Sequence, residues 1–144
     1  MIYQPAEDSF LMSQILKEKL PEMLKKNPYL KFLEIGTGSG ILAILAAKMG
    51  GKVTAIDIND EAIECAAKNA EKNNACGIKF AQSDLFSSVG DGKFDLIIFN
   101  PPYLPKEKKY TEKKIDLSYN SSETLERFLK EYKKHLEKGG CALI

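Results

Sequence analysis

Apolar runs alternate with helical patterns along most of the chain, and this alternation gives the first indication of its fold. Four apolar runs bounded by turn residues predict strands at positions 30–35, 52–58, 78–82 and 94–99. Helical patterns follow the first two runs, one ending near Met49 and the other, capped by Asn59 or Asp60, ending near Asn73. Strands that alternate with helices are typical of βαβ units, so the pattern predicts a mostly parallel sheet with helices on both faces.

The two ends of the chain add one helix each. A stripe of apolar residues from Glu7 to Leu20 predicts a leading helix that stops at Pro21, because proline interrupts helical hydrogen bonding. A second pattern predicts a helix from about Ser121 to Glu137, which leads through Gly139-Gly140 into a last strand at 141–144.

The composition fits one intracellular domain. A chain of 144 residues has the usual length of one domain, about 100–150 residues, and its 44% hydrophobic content suffices for a core without disulfides. The 21 basic and 20 acidic residues nearly cancel, which argues against a globally basic nucleic-acid binder. Three cysteines without a Cys-x-x-Cys pair and a single histidine make a zinc site unattainable, so no metal is expected. Without a signal-peptide pattern or a membrane-spanning apolar stretch, the expected compartment is the cytoplasm.

The candidate functional residues lie where the predicted strands end. A glycine turn follows the first strand, Asp57 closes the second, and Asp84 comes just after the third. The fourth strand ends at Asn100-Pro101-Pro102-Tyr103. Because right-handed crossovers place the carboxyl ends of parallel strands at one edge, where ligands of open sheets bind, these residues are expected to form one site.

The glycine turn Glu34-Ile35-Gly36-Thr37-Gly38-Ser39-Gly40 permits positive φ angles and the close approach of a ligand to bare backbone. Its spacing differs from the Gly-x-Gly-x-x-Gly of dinucleotide-binding turns, and Glu34 would repel a diphosphate, so a nicotinamide cofactor is disfavoured. A carboxylate beside the turn instead suits a cationic amino-acid group. The alternative is a tight strand-to-helix connection that binds nothing.

Two acids extend this interpretation to a nucleoside. Asp57 ends an apolar strand, where its two oxygens can accept hydrogen bonds from both hydroxyls of a ribose. Asp84 can accept from the amino group of adenine while Leu85 meets the ring. The alternatives are an N-cap for Asp57 and a plain turn acid for Asp84.

The segment Asn100-Pro101-Pro102-Tyr103 presents hydrogen-bond acceptors from a rigid backbone. Proline fixes φ and donates no hydrogen bond, so the Asn100 side chain and the Pro101 carbonyl can both face one bound amino group. Holding an amide or ring-amine nitrogen in this way before an electrophile favours the reactive geometry, and Tyr103 can pack on the planar group. The alternative is a proline-rich loop after an edge strand.

Taken together, these motifs resemble those of class I S-adenosylmethionine-dependent methyltransferases, which have a Rossmann-like α/β fold with a mostly parallel sheet in a three-layer sandwich. The opening Tyr3-Gln4-Pro5-Ala6-Glu7-Asp8-Ser9-Phe10-Leu11 is similar to that of the short HemK-like enzymes of archaea and eukaryotes. The resemblance implies methylation of the glutamine side-chain amide in the Gly-Gly-Gln motif of a class 1 translation release factor, with S-adenosylhomocysteine as the second product. A histone-lysine activity is also attached to the eukaryotic branch.

The resemblance also implies roles for single residues. The glutamine amide would be bound by Asn100 and Pro101, with Pro102 and Tyr103 completing the catalytic segment. The methionine part of the cofactor would lie at Glu34 and Gly36, the ribose at Asp57 and the adenine at Asp84. All residues that it places at the cofactor are Ser9, Glu34, Gly36, Thr37, Gly38, Asp57, Ile58, Asp84, Leu85 and Asn100.

The partners that the resemblance implies are proteins. The substrate is the release factor, and a small zinc-binding activator subunit usually covers an apolar edge of the sheet in this family. Direct binding to nucleic acid or to a membrane is not required. The Lys-rich segment at 106–114 suits either RNA phosphates or a solvated loop.

Two departures from the family pattern bear on the function. Segment 115–122 has no glycine where the family has an aromatic and glycine-rich loop, and the chain stops before the C-terminal antiparallel strands of class I folds, so a truncated C-terminal end is expected. Two alternative functions stay open: methylation of an exocyclic amine of adenine or guanine in nucleic acid, and a truncated cofactor-binding module without turnover.

Overall fold

Every strand pairing in the described part of the chain is parallel. The computed structural model describes residues 7–101 and 121–144. Its strands are β1 (Lys31–Ile35), β2 (Lys52–Asp57), β3 (Lys79–Gln82), β4 (Phe94–Phe99) and β5 (Leu136–Leu143). They form one sheet in the order β3-β2-β1-β4-β5. The predicted parallel α/β architecture is therefore confirmed.

Four α-helices accompany the sheet in these ranges. They are α1 (Glu7–Lys26), α2 (Ile41–Lys48), α3 (Asp60–Lys72) and α4 (Ser121–Glu131), and a 3-10 turn at Tyr132–His135 follows the last of them. None of the described helices is both long enough and apolar enough to cross a membrane.

Alternating side chains of the central strands form two apolar clusters, one on each face of the sheet. In β4, Leu96 and Ile98 belong to the cluster that α1 and α2 cover, whereas Ile97 and Phe99 belong to the opposite cluster with Phe128 of α4. Successive residues of a strand point to opposite faces, so a strand that is buried on both sides needs the unbroken apolar run that predicted β4. The predicted and observed bounds of this strand agree.

The prediction that the leading helix ends at Pro21 is wrong, since α1 continues to Lys26. Pro21 lacks the N–H that would bond one turn back, a loss of about 3 kcal/mol in a helix interior. The residues beyond it compensate because Met23 and Leu24 pack against the same apolar cluster as the fully buried Leu20. Tertiary packing thus stabilises the helix beyond the proline.

The predicted junction before the last strand is also wrong. The helix expected to reach Glu137 ends at Glu131, and β5 starts at Leu136 and includes both glycines. A register shift between Phe94 and Leu96 marks a bulge in the pairing of β4 with β5. A Cβ on Gly140 would lie 3.0 Å from the Asp95 carbonyl oxygen and 3.1 Å from that of Phe94. Glycine here therefore permits close backbone contact inside the strand rather than ending a helix.

The proline in α1 generates a stability prediction. We expect Pro21→Ala to raise the free energy of unfolding by about 1–3 kcal/mol, because alanine restores the missing helical hydrogen bond and removes the steric conflict with the preceding turn. Urea denaturation followed by circular dichroism measures the change. Pro28→Ala, in the exposed turn after α1, is the matched control and should change stability by less. A less stable Pro21→Ala variant would contradict this account of the helix.

Candidate active site

The carboxyl ends of β1, β2 and β4 bring the predicted motifs together. The backbone N–H groups of Gly36 and Thr37 both donate to the carbonyl of Ile56 in β2, at 2.8 and 3.0 Å. On the other side of the turn, a Cβ placed on Gly36 would lie 3.8 Å from the carbonyl oxygen of Asn100. The first glycine of the turn thus lies between the ends of β2 and β4, as the strand order requires.

The three glycines of the turn have different surroundings. All have positive φ: 76° at Gly36, 54° at Gly38 and 83° at Gly40. A Cβ on Gly40 would meet the Ala66 side chain of α3 at 2.9 Å, so this glycine is required for packing. Among the described residues, apart from the two chain neighbours of Gly38, no atom lies within 4 Å of the Cβ position of Gly38, so none of them covers the middle of the turn. A ligand can therefore approach the backbone there.

Asp57 fixes the glycine turn from the end of β2. Its Oδ2 accepts the N–H of Gly38 at 3.0 Å and its Oδ1 accepts the N–H of Asn59 at 2.9 Å. The N-cap of α3 is Asn59, whose side chain accepts from Glu61, so the capping alternative for Asp57 is wrong. The carboxylate is half-buried, and each oxygen retains a lone pair for a further hydrogen bond. Such a group can receive a ribose diol.

Glu34 is buried beneath the turn, with 4% of its surface exposed. Its Oε2 accepts the Thr37 hydroxyl at 2.8 Å and the N–H of Ala43 in α2 at 3.0 Å. Burial raises the pKa of Glu34 from 4.5 to about 8 against the opposing effect of these two hydrogen bonds, and the negative charge of Asp57 adds to the rise. The carboxyl is therefore mostly protonated at neutral pH. Neither its expected repulsion of a diphosphate nor its expected attraction for a cationic amino-acid group holds there, and the glycine spacing alone argues against a dinucleotide.

Asp84 lies in a loop whose backbone is tightly constrained. The next residue, Leu85, has φ of 50° and a buried side chain, so its backbone is the part that can face a ligand. The exposed Asp84 carboxylate accepts hydrogen bonds from both terminal nitrogens of Arg127 in α4, at 3.2 and 3.0 Å. Sequence reasoning missed Arg127. A basic residue on a helix gives no sign of a partner 43 residues away.

The described part of the acceptor segment consists of two residues. Asn100 follows β4 and is half-buried, and Pro101 is buried. Pro102 and Tyr103 lie outside the described residues, as do segment 106–114 and most of segment 115–122. Their predicted roles stay predictions.

The remaining two cofactor candidates are Ile58 and Ser9. Ile58 directly follows Asp57 and exposes 48% of its surface, which offers an apolar contact at the sheet edge. Its carbonyl accepts from the Gln82 side chain at 3.0 Å. Ser9 is half-buried in the first turn of α1, and no hydrogen bond within the described ranges joins it to the sheet edge.

Comparisons with known proteins give methyltransferases as relatives of this chain. The model of the family described as methyltransferase small domain matches residues 11–144. A Methanocaldococcus jannaschii protein provisionally named a protein N5-glutamine methyltransferase is 42% identical over an alignment of 149 positions, gaps included, which covers 99% of this chain and 71% of that protein. A release factor glutamine methyltransferase of Lactococcus lactis subsp. lactis is 43% identical over 98 residues, which cover 65% of this chain and 36% of that protein.

A solved structure agrees with the fold. The crystal structure of a ribosomal protein L11 methylase from Lactobacillus delbrueckii subsp. bulgaricus superposes with a TM-score of 0.64 at 32% identity, covering 91% of this chain and 58% of that one. This chain therefore spans most of the M. jannaschii protein and less than two thirds of the other two.

The buried Glu34 makes stability depend on pH in a defined direction. Because its pKa is raised in the folded state, the folded protein binds more protons than the unfolded chain between pH 4.5 and about 8. Loss of the Glu34 proton therefore opposes folding. The free energy of unfolding of the parent protein falls as the pH rises through this window. We expect the free energy of unfolding of Glu34→Gln, taken relative to that of the parent protein, to be about 2–5 kcal/mol higher at pH 9 than at pH 5.

Urea denaturation of both proteins at the two pH values measures this difference. Glu18→Gln, at an exposed position of α1, is the control and should follow the parent at both pH values. Parallel pH profiles for Glu34→Gln and the parent would show that burial does not perturb this carboxyl.

Proposed function

Because the chain belongs to the methyltransferase small domain family, we propose that it is an S-adenosylmethionine-dependent N-methyltransferase that acts on a glutamine side-chain amide. The proposed substrate is the Gly-Gly-Gln motif of a class 1 translation release factor in the cytoplasm. The observation that carries the proposal is the placement of Asn100-Pro101 at the end of β4, directly beside the glycine turn, with 3.8 Å between the Gly36 Cβ position and the Asn100 carbonyl oxygen.

The residues present fit an adenosyl amino-acid cofactor. No described residue beyond its chain neighbours covers Gly38, and the adjacent Asp57 carboxylate offers acceptors for ribose hydroxyls. Exposed Ile58 and the Asp84 loop extend this edge toward a base. When bound, S-adenosylmethionine supplies an electrophilic methyl group that passes to a nitrogen nucleophile, with S-adenosylhomocysteine as product.

Asn100 and Pro101 would bind the acceptor. The Asn100 side-chain oxygen and the Pro101 carbonyl each accept one N–H of the glutamine amide, and this pair of bonds sets the orientation of its nitrogen. An amide nitrogen is a weak nucleophile because its lone pair is delocalised. Two acceptors aimed at its N–H groups stabilise the positive charge that develops on the nitrogen during attack.

The names of the relatives support glutamine as the acceptor. The M. jannaschii and L. lactis relatives are both named for glutamine methylation, and the latter is named for release factors. The likeness to a ribosomal protein L11 methylase makes a ribosomal protein the second candidate substrate. A zinc-binding activator subunit belongs to the proposal as a partner, on the family resemblance alone.

Methyl transfer to a release factor tests the acceptor segment. We expect Asn100→Ala to transfer labelled methyl groups about 10–100-fold more slowly than the parent, because the acceptor amide loses one of its two positioning bonds. Its dissociation constant for S-adenosylmethionine should change little. Single-turnover label transfer and calorimetric titration measure the two quantities. Asn73→Ala, exposed at the end of α3, is the matched control and should retain the parent rate.

The same assay separates the alternatives. Unchanged labelling of a release factor whose Gly-Gly-Gln glutamine is replaced would exclude this acceptor. Labelling of ribosomal protein or of nucleic acid in place of the release factor would identify one of the other amines. Cofactor binding without transfer to any of them would support a binding module.

A further inference from the structure

The ion pair between Asp84 and Arg127 joins the proposed adenine subsite to α4. We propose that Arg127 is a positioning residue, which holds the Asp84 carboxylate in the orientation that selects the exocyclic amine of adenine. This inference rests on the proposed function, because it requires an adenosyl cofactor at this edge of the sheet.

The backbone around Asp84 is fixed without help from Arg127. The Asp84 N–H donates to the hydroxyl of Ser87 at 3.1 Å. The buried Ser83 hydroxyl donates to the Leu85 carbonyl at 2.7 Å and accepts the N–H of Ser88 at 3.1 Å. These bonds set the path of the loop, and the direction of the Asp84 side chain is left to its own partners.

The Asp84 carboxylate has one partner side chain within the described residues, and that partner fixes its plane. The two terminal nitrogens of Arg127 each donate to a different oxygen, at 3.2 and 3.0 Å. This two-bond arrangement orients a carboxylate more strictly than a single ammonium does. Each oxygen keeps a second lone pair, so the paired carboxylate can still accept an N–H from a base.

Arg127 is itself held by its neighbour in the helix. Phe128 is fully buried, and its ring lies 5.6 Å from that of Phe86 and 4.8 Å from that of Phe99. Phe86 belongs to the Asp84 loop and Phe99 ends β4. The same aromatic cluster therefore positions α4, the loop and the strand that leads to Asn100.

The consequence of the pair lies in binding rather than in folding. Both side chains are nearly half exposed, 42% for Arg127 and 46% for Asp84, and exposed ion pairs contribute little to stability. Fixing Asp84 before the ligand arrives spares the cost of ordering it on binding, an effect of about twofold to tenfold in affinity. The benefit falls on ligands that donate to Asp84. A 6-oxo base has a carbonyl oxygen in place of the exocyclic amine, so it lacks the amine N–H that Asp84 would accept.

Base discrimination provides the test. Calorimetric titration with S-adenosylhomocysteine and with S-inosylhomocysteine gives the preference of each variant for the amine over the 6-oxo base. We expect Arg127→Gln to bind S-adenosylhomocysteine about twofold to tenfold more weakly, with little change for the inosine analogue, so that the preference shrinks by this factor. Arg127→Lys retains the charge without the planar fork and should be intermediate. Lys130→Gln, exposed on the same helix, removes an equal charge and should retain the parent preference.

The outcomes separate this inference from the function on which it rests. An unchanged preference in Arg127→Gln, with or without a loss of stability, would show that the pair only docks α4. Tighter binding of S-adenosylhomocysteine by Arg127→Gln would show that Arg127 competes with the base for Asp84. Either result overturns the positioning role while leaving the methyltransferase proposal intact. Failure of the parent protein to bind either ligand would overturn both.

Discussion

The turn between β1 and α2 is the constraint on which the site depends. One carbonyl of β2, that of Ile56, accepts the N–H groups of both Gly36 and Thr37. The buried Glu34 carboxyl links the turn to α2, and Asp57 at the end of β2 accepts the N–H of Gly38 in the middle of the turn. This path needs positive φ angles at three positions, and glycine occupies them because other residues adopt such angles only at a cost in free energy. The backbone at the sheet edge is thereby fixed before any ligand binds.

From this fixed turn the edge divides into two functional halves. On the side of β2 and β3, the Asp57 carboxylate and the Asp84 loop are proposed to present acceptors to a nucleoside. On the side of β4, the Asn100 carbonyl lies beside Gly36, and Asn100 and Pro101 are proposed to present acceptors to a substrate amide. The parallel order β3-β2-β1-β4 places the two proposed subsites on either side of the glycine turn.

The sequence was sufficient to predict the central strands, the parallel sheet and the edge where the site lies, because buried strands and glycine turns leave local signals. It was insufficient where tertiary contacts override local propensity. Packing of Met23 and Leu24 carries α1 through a proline, and the bulge in β5 depends on a register set by its neighbour β4. Burial of Glu34 and the pairing of Arg127 with Asp84 depend on residues far apart in the chain, and no local pattern encodes them.

The central claim is that this edge transfers a methyl group to a glutamine side chain, and the most direct measurement is where the methyl group ends up. After incubation of the protein with S-adenosylmethionine and a class 1 release factor, tandem mass spectrometry locates any added methyl group on the factor. Our account predicts one methyl group on the side-chain amide nitrogen of the Gly-Gly-Gln glutamine. Methylation confined to lysine side chains or to the amino terminus would contradict it.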